Sequence, residues 1–113
     1  MKTKIYPTPA LAGSYDLRPM ETVTLHCAQS AQIGVVRIGA GTRSPAEGLR
    51  ASARHEIAYL VSGRVQVDTA TDTRVIDAGS VIVSSPTEEH ATTALSDATV
   101  VYVLIDPAMA APK

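Results

Sequence analysis

RHEIAYLVSGRVQV, residues 54–67, decides the fold. It reads as a strand, a tight turn centred on Ser62-Gly63 and a second strand, a hairpin. By the two-residue period of a strand, Glu56, Ala58 and Leu60 share one face, while His55, Ile57, Tyr59 and Val61 share the other. One face therefore sets a carboxylate among small and apolar groups. A carboxylate facing a core is costly unless a cation, a proton or hydrogen bonds offset it, so Glu56 asks for a chemical explanation. Either it is a paired structural residue or it works. Arg54 shares its parity and stands two strand steps away, roughly 7 Å along the same face.

A length of 113 residues suits one domain with one core. The net charge is −1 and no run of like charge exceeds two residues, which leaves no electrostatic footprint for nucleic acid. Four Tyr with no Phe or Trp also argue against stacking on bases. No apolar run approaches the roughly 20 residues that cross a bilayer. The start MKTKIYPTPALAG lacks an unbroken apolar signal segment, so a cytosolic protein with no membrane partner is expected. Cys27, the single cysteine, reads as a small buried hydrophobe.

Pro7, Pro9, Gly13 and Pro19 mark residues 1–20 as an arm, with at most a short edge strand near Lys4 to Tyr6. Residues 21–105 form the domain, and 106–113 a frayed tail. Strands are expected at 21–27, 31–38, 54–61, 64–67, 74–77, 81–84, 88–95 and 99–105. The last, TVVYVLI, is apolar on both parities and reads as buried on both faces. Residues 39–52 mix Gly, Pro, Ser and Arg without a period, the mark of a loop that walls or lids a site. About eight or nine short strands with Gly or Pro at nearly every junction, and no convincing helix, mean an all-β sandwich or barrel.

At this point the chain resembles a small, single-domain cupin, the double-stranded β-helix or jelly-roll barrel whose family carries two short motifs. Glu56 and Gly63 match the spacing that closes the first motif, and Gly79 and His90 match that of the second, within DAGSVIVSSPTEEH. The likeness covers roughly residues 31–105. The second motif's proline is displaced to Pro86, with Ser85 in its usual place, and Thr87 stands where the family has an inner glycine. The first motif departs further. The family's His-x-His pair, two of the imidazoles that hold a divalent metal, falls on Leu49, Arg50, Ala51 and Ser52, which contain no histidine. Aligning on Gly41 and Pro45 instead puts Glu47 at the first ligand position.

The resemblance thus implies Glu56 and His90, with Glu47 or water, as ligands of a weak divalent site; a metal-free barrel is the favoured alternative, because losing two imidazoles weakens any preference for Fe, Ni, Cu or Zn. His55 has the wrong parity for the interior and reads as an outward or interface residue, and His26 as a half-buried strand histidine. Arg54, with Arg43 and Arg50 of the preceding loop as a cationic rim, suits a carboxylate or phosphate, since a guanidinium fork binds two oxygens; the favoured reading of Arg43 and of Arg50 is a solvated loop charge. The alternative for Arg54 is a salt bridge to Glu56 or Glu47. Two readings of function remain open. In the first, Glu56 and His90 are an acid/base pair, or metal ligands, of an isomerase, lyase or oxygenase acting on a small anionic or oxygen-rich metabolite. In the second, the barrel is a non-catalytic small-ligand module. The enzyme is favoured, because an inward His and Glu together are costly to retain unused. A homodimer is expected, since the His55, Ile57, Tyr59, Val61 face would otherwise leave apolar surface bare.

Overall fold

A computed structural model describes residues 3–25 and 29–107. The readings made for His26 and Cys27, and for the tail beyond Pro107, fall outside the described residues. Nine strands form: β1 Tyr15–Thr24, β2 Ser30–Ile38, β3 Arg43–Ser44, β4 His55–Ser62, β5 Arg64–Thr69, β6 Thr73–Asp77, β7 Val81–Ser84, β8 His90–Ala94 and β9 Ala98–Ile105. Among the described residues there is no helix, hence none long and apolar enough to cross a membrane. The strands make two antiparallel sheets, β1-β2-β9-β4-β7 and β3-β8-β5-β6, stacked as a jelly roll. The alternating residues of the first sheet that face the second, Val36, Ile38, Leu60 and Tyr102, meet Val65 and Ala94 in the core.

Three expectations change. The 54–67 stretch is no hairpin: β4 pairs with β7 and β9, β5 with β6 and β8, so the chain changes sheets at Gly63. A tight turn and two alternating strands look alike whether the strands pair or part. β1 begins at Tyr15, not Glu21, and runs through Pro19, which an edge strand tolerates because its missing N–H faces no partner; a bulge between Pro19 and Glu21 absorbs the irregularity. Residues 4–6 form no strand. Instead Lys4 (Nζ to Oε2, 3.3 Å) and the Tyr6 hydroxyl both bond Glu21 on β1, exposed contacts that contribute little stability.

The third concerns β9. It is central in its sheet, yet its outer face is not covered: Val101 is 36% exposed. An apolar run on both parities reports two apolar faces, not two covered ones. Val101 continues an exposed apolar surface with Ile57, Tyr59 and Val61 on the adjacent β4 and with Val81 and Val83 on β7 beyond it. A second copy packed two-fold on this face remains our proposal for what covers it. Light scattering at micromolar concentration should then give twice the 11.8 kDa chain mass, and a monomer mass would remove the proposal.

Candidate functional site

The register arranges the inward side chains in layers. Gln32, Leu104, Glu56 and Ser84 stand abreast on the first sheet, followed by Gly34, Tyr102, Ala58 and Ile82, then by Val36, Val100 and Leu60. On the second sheet Thr69 pairs with His90, Val67 with Thr92, and Val65 with Ala94. Between the sheets lies a cavity of about 440 Å³. It opens at the Glu56 end, where Arg50 is exposed; at depth Leu60 and Val65 are 0% and 1% exposed, while the exposed Tyr15 and Leu17 line it along the edge strand β1.

Glu56 and His90, on opposite sheets, meet across this opening. His90 Nε2 stands 3.5 Å from Glu56 Oε2, with the two side chains 21% and 29% exposed. The parity read from the sequence is therefore correct for both. His90 is held from three sides. Its backbone exchanges hydrogen bonds with Arg50, N–H to O at 3.1 Å and the reverse at 3.0 Å. Its Nδ1 lies 3.4 Å from the Glu88 carbonyl oxygen. The turn before it is closed by Ser85 N–H donating to Glu88 Oε1 at 2.7 Å, a bond that holds the Glu88 carboxyl below its usual range. In that turn Thr87 has φ +73°, a left-handed backbone that disfavours a β-branched residue, at the position where the second motif has glycine.

Arg54 lines the cavity beside Glu56. Neither expected salt bridge forms: among the described residues its guanidinium has no carboxylate within ion-pair distance. Asp106, across the strand end, is bonded instead by Ser30 (Oγ 2.8 Å, N 3.1 Å), which with the nearby Arg54 charge holds its carboxyl low. A half-buried arginine without a carboxylate is available for a ligand's. Arg50 also lines the opening, whereas Arg43 points out of the barrel and donates to the Pro45 carbonyl at 2.9 Å. His55 is exposed on the outer face, as its parity requires.

Glu47 does not join the site. β3 reaches only Ser44, and the chain swings outward before Arg50 pairs with His90, so Glu47 is exposed on the excursion and lines no part of the cavity. Among the described residues, no three His, Cys, Asp or Glu side chains gather closely enough to hold a metal. One imidazole and one carboxylate fall short of the three or four protein donors of a tight first-row site, so the described residues of this opening do not fit a resident metal.

Sequence reasoning missed Tyr102. It is 4% exposed, and its hydroxyl is buried without a hydrogen-bond partner among the described residues. Burial, with a smaller push from Tyr15, raises its pKa, partly offset by the Arg54 charge. The ring fits because its neighbours across the sheet are Gly34 and Ala58; a Cβ on Gly34 would stand 2.7 Å from Tyr102 Cε2. A lone tyrosine in the aliphatic run TVVYVLI was the available signal, since a buried phenol usually finds a partner.

No sequence-family profile matches the chain, and no curated protein matches it. Solved structures do. A cupin superfamily protein from Desulfitobacterium hafniense DCB-2 superposes with TM-score 0.71 at 8% identity, over 88% of this chain and 84% of that one. KdgF from a Halomonas species gives 0.67 at 17% identity, over 92% and 90%. A cupin-2 domain protein from Shewanella frigidimarina gives 0.65 at 15% identity, over 82% of each.

Proposed function

We propose, taking as premise that the chain has the fold of a small single-domain cupin, that it binds a small organic anion in the barrel and moves a proton on it with Glu56 and His90. The fold alone decides nothing here, since barrels of this type host many activities. What carries the reading is the approach of His90 Nε2 to Glu56 Oε2, 3.5 Å across the opening, with Arg54 lining the same cavity and in no ion pair among the described residues. Arg54, with Arg50 at the rim, receives the ligand's carboxylate. Neutralising that carboxylate eases removal of a proton from the adjacent carbon, because negative charge developing there meets a fixed cation. One member of the Glu56–His90 pair takes the proton and the other returns it, the chemistry of an isomerase or a lyase.

The deciding experiment is turnover. Acids that stabilise the protein in a thermal-shift screen are incubated with it, and the mixture is resolved by mass spectrometry and NMR. An enzyme consumes what it binds, or washes deuterium from solvent into it. Saturable binding with neither outcome would leave the alternative, a non-catalytic ligand module.

Arg54 gives a second check. Arg54→Lys keeps the charge but loses the two-pronged geometry, so affinity for a carboxylate should fall about tenfold, roughly 1.4 kcal/mol. Calorimetry showing equal affinity would make the arginine structural.

A further inference from the structure

We infer that the acid accepted by this barrel has one carboxylate head and an apolar body, and is not a polyhydroxylated sugar acid. This rests on the reading of Arg54 as the carboxylate receptor, and it goes further by assigning the rest of the ligand.

The polar groups of the cavity are graded by depth. Gln32, Arg54, Glu56, Ser84 and His90 all belong to the opening. One layer down on the first sheet come Tyr102, Ala58 and Ile82, and below them Leu17, Val36, Val100 and Leu60, so beneath Glu56 this wall is hydrocarbon apart from two phenols, Tyr102 and, on the edge strand β1, the exposed Tyr15. The Tyr102 hydroxyl is hidden over Gly34 and reaches no partner among the described residues. The opposite wall offers Thr92 and Ser44 at mid-depth, then Val65 and Ala94. A sugar acid held at Arg54 would turn several hydroxyls against valine, isoleucine and leucine. Each hydroxyl buried without a partner costs about tenfold or more in affinity. An aliphatic or aromatic body gains instead, by about fourfold for each methylene fully removed from water. The volume of about 440 Å³ lies in the ordinary range for a small-ligand pocket and leaves room for such a body below the head.

The test compares three sodium salts by titration calorimetry at equal ionic strength: acetate, which reaches only the opening, hexanoate, and gluconate. Hexanoate should bind at least tenfold more tightly than acetate, and gluconate no more tightly than acetate. Val100→Thr, nearly isosteric in the lowest layer, should cost hexanoate about fivefold or more and leave acetate unchanged; Val67→Thr serves as the second variant if circular dichroism finds the first unfolded. Gluconate binding as well as hexanoate, or hexanoate indifferent to both threonine variants, overturns the inference. Arg54→Ala separates the two levels. Gluconate binding that Arg54→Ala abolishes would leave the carboxylate receptor standing and the apolar body refuted. Hexanoate binding that is sensitive to threonine but not to Arg54→Ala would do the reverse. No binding of any of the three refutes both.

Discussion

Replacing His90 with alanine should lower turnover by about 10²- to 10⁴-fold, the usual contribution of a positioned acid or base, and leave the barrel folded. Folding survives because the side chain is 21% exposed and its partner 29%, so Glu56 left alone is still wetted. Glu56→Gln should lose nearly as much, since the amide keeps the shape of the carboxylate but neither accepts nor returns a proton. The double variant should be little worse than either single one, because two groups that exchange one proton fail as a unit. Steady-state kinetics on the three proteins, with elemental analysis of each prepared without chelator, reads all of this. Losses that multiply would mean independent roles. Stoichiometric Fe, Ni or Zn in the wild type, absent from both single variants, would replace the metal-free pair with a metal-assisted enzyme of unusual ligand set.

The largest effect on folding is expected at Gly63. There the chain leaves one sheet and enters the other with φ +88°. A Cβ would press on the Asp97 carbonyl oxygen and stand 2.7 Å from Ala98 Cα, both main-chain atoms at the start of β9. Neither can rotate aside as a side-chain tip would. Gly63→Ala therefore combines a left-handed backbone penalty with overpacking against main chain, together about 3 kcal/mol or more. Set against a typical total of about 5–15 kcal/mol, that removes a large share of the stability while the variant stays mostly folded without denaturant. Gly79→Ala is the control. Its φ is +93°, but nothing stands within 4 Å of the added Cβ, so only the backbone penalty of about 1–2 kcal/mol applies. Urea unfolding of the two variants measures the difference; equal losses would mean that the contact with β9 does not matter.

Local alternation carried much of the fold and the centre of the site. Glu56 and His90 were legible because strand parity and motif spacing both put them inside, and neither depends on knowing which strands pair. Partnership is non-local, and there the sequence was mute. Ser62-Gly63 reads the same as a hairpin turn and as a passage between sheets. Pro19 looked like a boundary because only an edge position excuses it, and edges are a property of the finished sheet. Glu47 could be aligned with a ligand position, but the outward swing after Ser44 depends on β3 and Arg50 both pairing with β8. Tyr102 owes its burial to Gly34 on β2, a neighbour that only the assembled sheet supplies.

β9 lies between β2 and β4, yet it follows all eight other strands in chain order. Time then enters the problem. As the chain leaves the ribosome, β2 and β4 each wait with an unpaired edge until Ala98–Ile105 arrives to join them. Until then Val35, Val36 and Leu60, all buried in the finished barrel, lack the strand that closes over them. Pairings this distant along the chain make closure slow, in the millisecond-to-second range of β-sandwiches, and leave sticky edges open meanwhile. Stopped-flow refolding should accordingly report one late phase in which both the sheet signal and the protection of β2 and β4 amides rise together. Protection of those amides long before β9's own would contradict it. On this account the strand that completes the cavity also sets the pace at which the barrel closes.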